Sequence, residues 1–139
     1  MRRIAAALTV LALLAAGVAE ARAPRSGRFD GSTGPKRRIT LIVQGRSIDL
    51  AAFDFRCRSV TGRTSLNQIA IRRTSSGYRF SIRSAGSISF SDGRADENGR
   101  MELSGRFSST GRSVRGRLRV RSKRCRDTGS VRWSARRRG

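Results

Sequence analysis

The sequence predicts an all-β protein: an antiparallel, jelly-roll-like β-sandwich of about eight or nine strands with one disulfide. Three observations predict this fold. Apolar and polar residues alternate along a series of short segments, turn-forming residues separate the segments, and no stretch after the N-terminal region has a helical period. Strict alternation buries one face of each strand and leaves the other wet, as in antiparallel sheets that pack face to face. A partly closed barrel is the alternative architecture.

The alternating segments follow one another from residue 39 towards the C-terminus. In order they read RITLIVQ, FDFRC, NQIAIRR, YRFSIRS, GSISFSD, RMELSGRFSS, SVRGRLRVRS and SVRWSAR, and separators such as QGRS, TGRTS, SDGRADENGR and RDTGS lie between them. Within SIDLAAFDF the apolar phase changes near Ala51 and Ala52, where we expect a bulge or a bend. Trp133 falls in phase with Val131 and Ala135, so we expect it in the core rather than in a ligand platform.

The N-terminal region, residues 1–23, has the pattern of a secretory signal peptide. Two arginines precede a short apolar run, and Ala21-Arg22-Ala23 has the small residues of a cleavage site, which we place after Ala23. The alternative is an uncleaved membrane anchor, although the run is short for a bilayer span. We therefore expect a protein that is secreted or held in the cell envelope, outside the cytoplasm.

The remaining chain divides into a linker and one domain. Residues 24–37, PRSGRFDGSTGPKR, hold both prolines and three of the glycines, and predict a flexible linker. Residues 38–139 predict the β-sandwich domain, because this length suits one domain and not two.

The charge is strongly positive. The whole chain carries a formal charge of +22, and losing residues 1–23 would leave +20 because three arginines and one glutamate go with them. An excess of this size attracts polyanions without specificity but does not determine a fold. Nearly all of the basic residues are arginine, for which GC-rich codon usage and selection for guanidinium chemistry are both explanations.

The two cysteines, Cys57 and Cys125, predict a disulfide. An even number of cysteines in an exported chain favours a bridge, and two cysteines allow only one intramolecular pairing. Closing a loop of this length is worth roughly 4 kcal/mol by loop-closure entropy. Free thiols or an intermolecular bridge are the alternatives.

The residues that the chain lacks argue against most catalytic classes. It has no histidine, which excludes the usual serine triad, cysteine–histidine pairs and histidine-ligated metal sites. We therefore expect no catalytic residue, no metal site and no cofactor. The one dense group of carboxylates lies between Asp92 and Glu102, in SDGRADENGRME. A hairpin turn explains this segment better than a calcium loop or a glycosidase pair, because DG and NG are strong turn dipeptides.

A stripe of arginines is the best candidate for a binding site. Arg115, Arg117, Arg119 and Arg121 share one face of a predicted strand at about 6.5–7 Å spacing, which is close to a phosphate repeat. Guanidinium groups can bind phosphate or carboxylate with two hydrogen bonds. Arg132 is the fifth residue of this candidate polyanion site, and Arg79, Arg83 and Arg106 could widen it, depending on strand order. The plainer interpretation is a solvated face that prevents edge-to-edge association. The aromatic residues fall on the apolar phases, so the sequence shows no base-stacking platform.

The closing motif resembles one family. CRDTGSVRWSARR, from Cys125 to Arg137, with FDFRC ending at Cys57, SGRFSSTG and DGSTGPKRRITLIV, resembles small exported β-rich proteins of actinobacteria. Their pattern is a cysteine, then Cys-x-Thr-Gly, then Trp-x-Ala-Arg, and this chain has one extra residue after its second cysteine. The resemblance implies an all-β exported domain with one disulfide, and it supplies no activity.

The sequence thus predicts a noncatalytic, exported interaction module. We expect its basic face to meet an anionic cell-wall polymer, a glycan or extracellular nucleic acid. Two alternatives remain at this point: a carbohydrate-active enzyme that uses the Asp92–Glu102 segment, and a structural secreted protein with no discrete ligand.

Overall fold

The computed structural model describes residues 21–139, which form ten β-strands. The strands are β1 (Gly27–Gly34), β2 (Arg37–Gln44), β3 (Ser47–Cys57), β4 (Val60–Ala70), β5 (Arg72–Thr74), β6 (Gly77–Phe90), β7 (Ala95–Phe107), β8 (Ser113–Ser122), β9 (Arg126–Asp127) and β10 (Val131–Arg137). Across this range no helix has the length and apolar character needed to span a membrane. The predicted signal peptide falls almost entirely on residues 1–20, outside the described part.

Eight of the strands close into an antiparallel barrel. The order is β10-β1-β2-β3-β4-β6-β7-β8, and β10 pairs with β8 as well as with β1, so the sheet returns to its start. The short β5 adds to β6, and the short β9 adds to β8. The all-β antiparallel prediction is confirmed, but the jelly-roll-like sandwich is wrong. Each strand of the barrel pairs with the next along the chain, whereas a jelly roll needs Greek-key crossings.

Strand β1 completes the closure, and it lies where the sequence predicted a flexible linker. Residues 27–34 pair with β2 on one side and with β10 on the other, and Phe29 is fully buried. One of the glycines that suggested a linker has a packing role instead. A Cβ at Gly31 would lie 1.7 Å from the carbonyl oxygen of Ser134 on β10, so only glycine allows the two backbones to approach this closely.

The barrel interior is a solid core. An eight-stranded barrel is just wide enough for its inward side chains to fill it. Across one row of the interior, Phe80, Gly105, Gly116 and Trp133 are register partners in turn. The rings of Phe80 and Trp133 lie 6.1 Å apart over the two glycines, whose Cβ atoms would overlap the aromatic rings or the neighbouring backbone. Trp133 is 3% exposed, which confirms the prediction that it belongs to the core.

Contacts outside the strand pairing fix the chain at each end of the barrel. The predicted disulfide between Cys57 and Cys125 is present and joins the end of β3 to the turn before β9, across 68 positions of sequence. At the opposite connection, β7 to β8, the backbone amides of Arg22 and Arg25 donate hydrogen bonds to the carbonyls of Ser109 and Gly111. These contacts place residues 21–26 against the barrel before β1 begins.

The predicted change of phase in β3 is present, displaced by two residues. Ile42 pairs with Leu50 and Val43 pairs with Ile48, so Asp49 is the extra residue of a bulge. A second difference concerns β6, which runs unbroken from Gly77 to Phe90, whereas the sequence predicted two separate segments there, YRFSIRS and GSISFSD. The pairing of β6 with β7 shifts register between Gly86 and Ile88.

Candidate polyanion-binding face

The predicted arginine stripe lies on the outer surface of the barrel. Arg115, Arg117, Arg119 and Arg121 alternate along β8 with inward residues, and Arg132 on β10 is the direct cross-strand partner of Arg117. The structure therefore places these five arginines on two neighbouring strands. Their surroundings divide them into two groups.

Two of the five arginines contact the same carboxylate, that of Asp127. Arg119 forms two hydrogen bonds with the Asp127 carboxylate, at 2.9 and 2.5 Å, and Arg121 lies 3.5 Å from it. The bond from Arg119, together with one from the Gly129 amide, holds the pKa of Asp127 well below its ordinary value. The carboxylate therefore stays ionised at any ordinary pH, and it offsets one of the two positive charges in this half of the stripe.

The strand next to β8 adds to this balance. Glu102 on β7 has Arg83 of β6 as one cross-strand partner, with 3.4 Å between the charged groups, and Arg119 of β8 as the other. Charges therefore alternate across three strands in this row, which is the stabilising arrangement for cross-strand pairs.

The other half of the face has no such balance. Arg72, Arg79, Arg106 and Arg115 are successive register partners across β5, β6, β7 and β8, and all four side chains are exposed. We call these four residues the arginine row, and Arg117 with Arg132 the flanking pair. Within residues 21–139, none of the six has a carboxylate within ion-pair distance.

The arginine row carries an energetic cost. Strands lie about 4.8 Å apart, so the row crosses roughly 14 Å of sheet. Like charges directly opposite one another destabilise a sheet, by amounts similar to the roughly 0.2–1 kcal/mol that favourable pairs contribute. The only hydrogen bond from these four side chains runs, within the described chain, from Arg106 to the carbonyl of Ser76, at 2.9 Å. Three consecutive like-charge pairs are therefore exposed to solvent without a compensating carboxylate.

The surface between these arginines is slightly hollowed. Two shallow grooves share Arg106, Arg115 and Arg117 in their linings, and one extends to Arg79 while the other extends to Arg132. Gly116, whose missing side chain allows β8 to approach β7, lies in both grooves. The grooves thus connect the arginine row with the flanking pair in one continuous basic surface.

Sequence reasoning found part of this surface. It named Arg115, Arg117 and Arg132, and it placed Arg79 and Arg106 nearby subject to strand order. It missed Arg72, which lies near the end of the predicted segment NQIAIRR, because only the pairing of β5 with β6 places this residue beside Arg79. It also included Arg119 and Arg121, since nothing in the sequence indicates that Asp127 folds back onto them from β9.

Aromatic residues take no part in the outer face. All six phenylalanines, the tyrosine and the tryptophan of the chain are buried in the barrel. A stacking platform for bases needs exposed rings. The outer face therefore offers charge and hydrogen-bond donors but no exposed aromatic ring.

The acidic segment that was considered for catalysis is engaged in structural contacts. Asp92 forms an ion pair with Arg124, and Asp96 accepts a hydrogen bond from the backbone amide of Arg124, at 3.0 Å. Desolvation opposes ionisation of Asp92, but hydrogen bonds from the Arg94 amide and from Arg124 outweigh it and lower the pKa of Asp92. A general acid of a glycosidase requires a raised pKa, so Asp92 has the opposite electrostatic setting.

Neither metal-binding geometry nor similarity to a known protein adds to this account. Among residues 21–139, no group of three or more cysteine, aspartate or glutamate side chains is arranged to hold a metal ion. Compared with protein-family models, with curated proteins and with solved structures, the chain matches none of them.

Proposed function

We propose that the protein is a noncatalytic, exported interaction module that binds anionic polymers of the cell envelope or the extracellular space through the arginine row and the flanking pair. The observation that carries this proposal is the uncompensated row itself. Arg72, Arg79, Arg106 and Arg115 are direct neighbours with no carboxylate among them, whereas charges alternate across Arg83, Glu102 and Arg119 on the same face. A polyanion would supply the missing negative charge along the row.

Two further features support this proposal. The disulfide suits an oxidising compartment outside the cytoplasm, where envelope polymers and extracellular polymers occur. The absence of exposed aromatic rings favours ligands that are recognised by their charged backbone, such as phosphate-containing or sulfated polymers.

The salt dependence of polymer binding tests the proposal. The perturbed variant is Arg106→Gln with Arg115→Gln, which removes the two central charges of the row. The matched control is Arg100→Gln with Arg121→Gln, another register pair on the same two strands, with equal charge loss and about 20 Å from the row along β7. The probes are an oligodeoxythymidylate, for which slopes are calibrated, and a polyphosphate, which has no bases.

The two variants should differ in the slope of log K against log salt concentration. Each lost phosphate contact lowers the steepness by about 0.7 for a single-stranded nucleic acid, so the row variant should lose about 1.4. We expect the control to lose less than half as much, and polyphosphate to rank the variants in the same way. Equal slopes for the two variants would reject the row as the binding surface.

A further inference from the structure

A second basic site lies at the disulfide end of the barrel. The two cysteines each sit inside an Arg-Cys-Arg tripeptide, at residues 56–58 and 124–126, and the disulfide brings these tripeptides together with their cysteine Cα atoms 5.0 Å apart. A groove at this end is lined by Arg56, Arg58 and Arg126 from the two tripeptides and by Arg37 from the start of β2. We call it the disulfide groove.

The four arginines of the disulfide groove lack anionic partners. Arg56 and Arg37 reach only backbone carbonyls, those of Arg58 and Pro35, at 3.3 Å each. The side chains of Arg58 and Arg126 make neither hydrogen bonds nor ion pairs within residues 21–139. The Nε of Arg37 is buried and has no hydrogen-bond partner there. A buried donor without a partner is costly unless something accepts from it.

The one carboxylate in the groove is already used. Asp127 lines the groove, but its two oxygens accept hydrogen bonds from Arg119 and from the Gly129 amide. The fourth arginine of the tripeptides, Arg124, pairs with Asp92 and lies over the ring of Phe90. Four guanidinium groups therefore meet in one groove with no free negative charge to balance them.

The backbone holds two of these arginines at positions that favour other residues. Arg58 and Arg126 have φ angles of 56° and 57°, in the left-handed region where glycine and asparagine are most at ease. Each directly follows a cysteine of the bridge. An arginine at such a position suggests that its side chain is needed there.

We propose that the disulfide groove binds a phosphoryl group, as a free diphosphate or as the terminal phosphate of a polymer, through Arg37, Arg56, Arg58 and Arg126. Planar guanidinium groups match the oxygens of a phosphate with paired hydrogen bonds. The disulfide assembles the site, because it joins the two segments that supply three of the four arginines. This site is separate from the arginine row and does not depend on the function proposed for the row.

Titration with inorganic diphosphate at constant ionic strength tests this site. The variant is Arg58→Asn with Arg126→Asn, because asparagine tolerates both backbone conformations and the fold should persist. We expect its diphosphate affinity to fall by at least about tenfold, since two charge-assisted hydrogen-bonding groups are lost. The control, Arg46→Gln with Arg112→Gln, removes the same charge from two exposed arginines that belong neither to the disulfide groove nor to the arginine row, and it should keep the affinity within about twofold.

Three outcomes would overturn the proposal. They are unchanged affinity in the Arg58→Asn, Arg126→Asn variant, equal losses of affinity in both variants, and undiminished binding by reduced protein that remains folded.

A short oligonucleotide with and without a 5′-phosphate separates the two sources of the phosphoryl group. Tighter binding of the phosphorylated strand, lost in the groove variant, supports a polymer end, while equal binding of both strands with diphosphate binding retained supports the free anion.

Discussion

Reversing one charge in the arginine row should make the fold more stable. Arg106 lies between Arg79 and Arg115, so Arg106→Glu converts two repulsive cross-strand pairs into two attractive ones. The mirror-image change is Glu102→Arg, four residues away on the same strand and face. Glu102 lies between Arg83 and Arg119, and its reversal turns two attractive pairs into two repulsive ones.

The expected sizes follow from these pairs. A cross-strand ion pair contributes roughly 0.2–1 kcal/mol, and an opposed like-charge pair costs a similar amount. Arg106→Glu also loses the exposed hydrogen bond to the Ser76 carbonyl, which offsets part of the gain. We therefore expect Arg106→Glu to raise the free energy of unfolding by about 1 kcal/mol at low ionic strength, and Glu102→Arg to lower it by about 1 kcal/mol.

Urea unfolding of the oxidised protein measures both changes. The fluorescence of Trp133, the one tryptophan, reports the transition, and the midpoint should move in opposite directions for the two variants. Both shifts should shrink in 1 M NaCl, where the screening length falls to about 3 Å. The reasoning is refuted if Arg106→Glu is no more stable than the parent at low salt, or if the two shifts have the same sign. The stabilised variant should also bind polyanions more weakly.

Three further predictions concern the barrel and its ion pairs. Gly116→Ala should destabilise the protein by at least about 1–3 kcal/mol in urea unfolding, because the new Cβ would lie 1.8 Å from the Ser104 carbonyl oxygen; an unchanged midpoint would contradict the close approach of β7 and β8. Trp133→Ala should lower the free energy of unfolding by about 3–5 kcal/mol. Trp133→Phe should lower it much less, because the indole nitrogen has no hydrogen-bond partner among the described residues. Equal losses of unfolding free energy in the two variants would argue that the nitrogen is hydrogen-bonded. Asp127 has a lowered pKa in the folded state, so its ion pair with Arg119 stabilises the fold above about pH 4 and loses that effect as the pH falls towards the folded pKa. The difference in unfolding free energy between the parent and Asp127→Asn should therefore shrink between pH 5 and pH 2. A difference that stays constant over this range would contradict the prediction.

The alternation of apolar and polar residues was enough to predict most of the strands but not their closure. Segments such as those around Phe80, Leu118 and Trp133 have the same period in a sandwich and in a barrel, because both have one dry face and one wet face. Closure depends on which strands become neighbours. That depends in turn on β1, whose glycines and single central phenylalanine resemble a linker when they are read alone.

The candidate site was predictable in composition and not in arrangement. The sequence placed Arg115 and Arg117 on an outer face, since the period of two determines the face of each residue. It could not show that Arg72, Arg79 and Arg106 extend the row across the sheet, because register is a property of paired strands. Nor could it show that Arg119 differs from Arg115 in having a carboxylate partner, because Asp127 reaches Arg119 only through the turn that leads into β9.

Chemical-shift mapping of a polyphosphate titration tests the central claim most directly. Backbone amides and arginine Nε groups of the oxidised protein would be followed as polyphosphate is added at a moderate salt concentration. We predict that the largest changes fall on Arg79, Arg106 and Arg115 and continue to the flanking pair, while Arg83 and Arg119 change little. Changes of equal size over all exposed arginines, or a maximum around Arg83 and Arg119, would contradict the account.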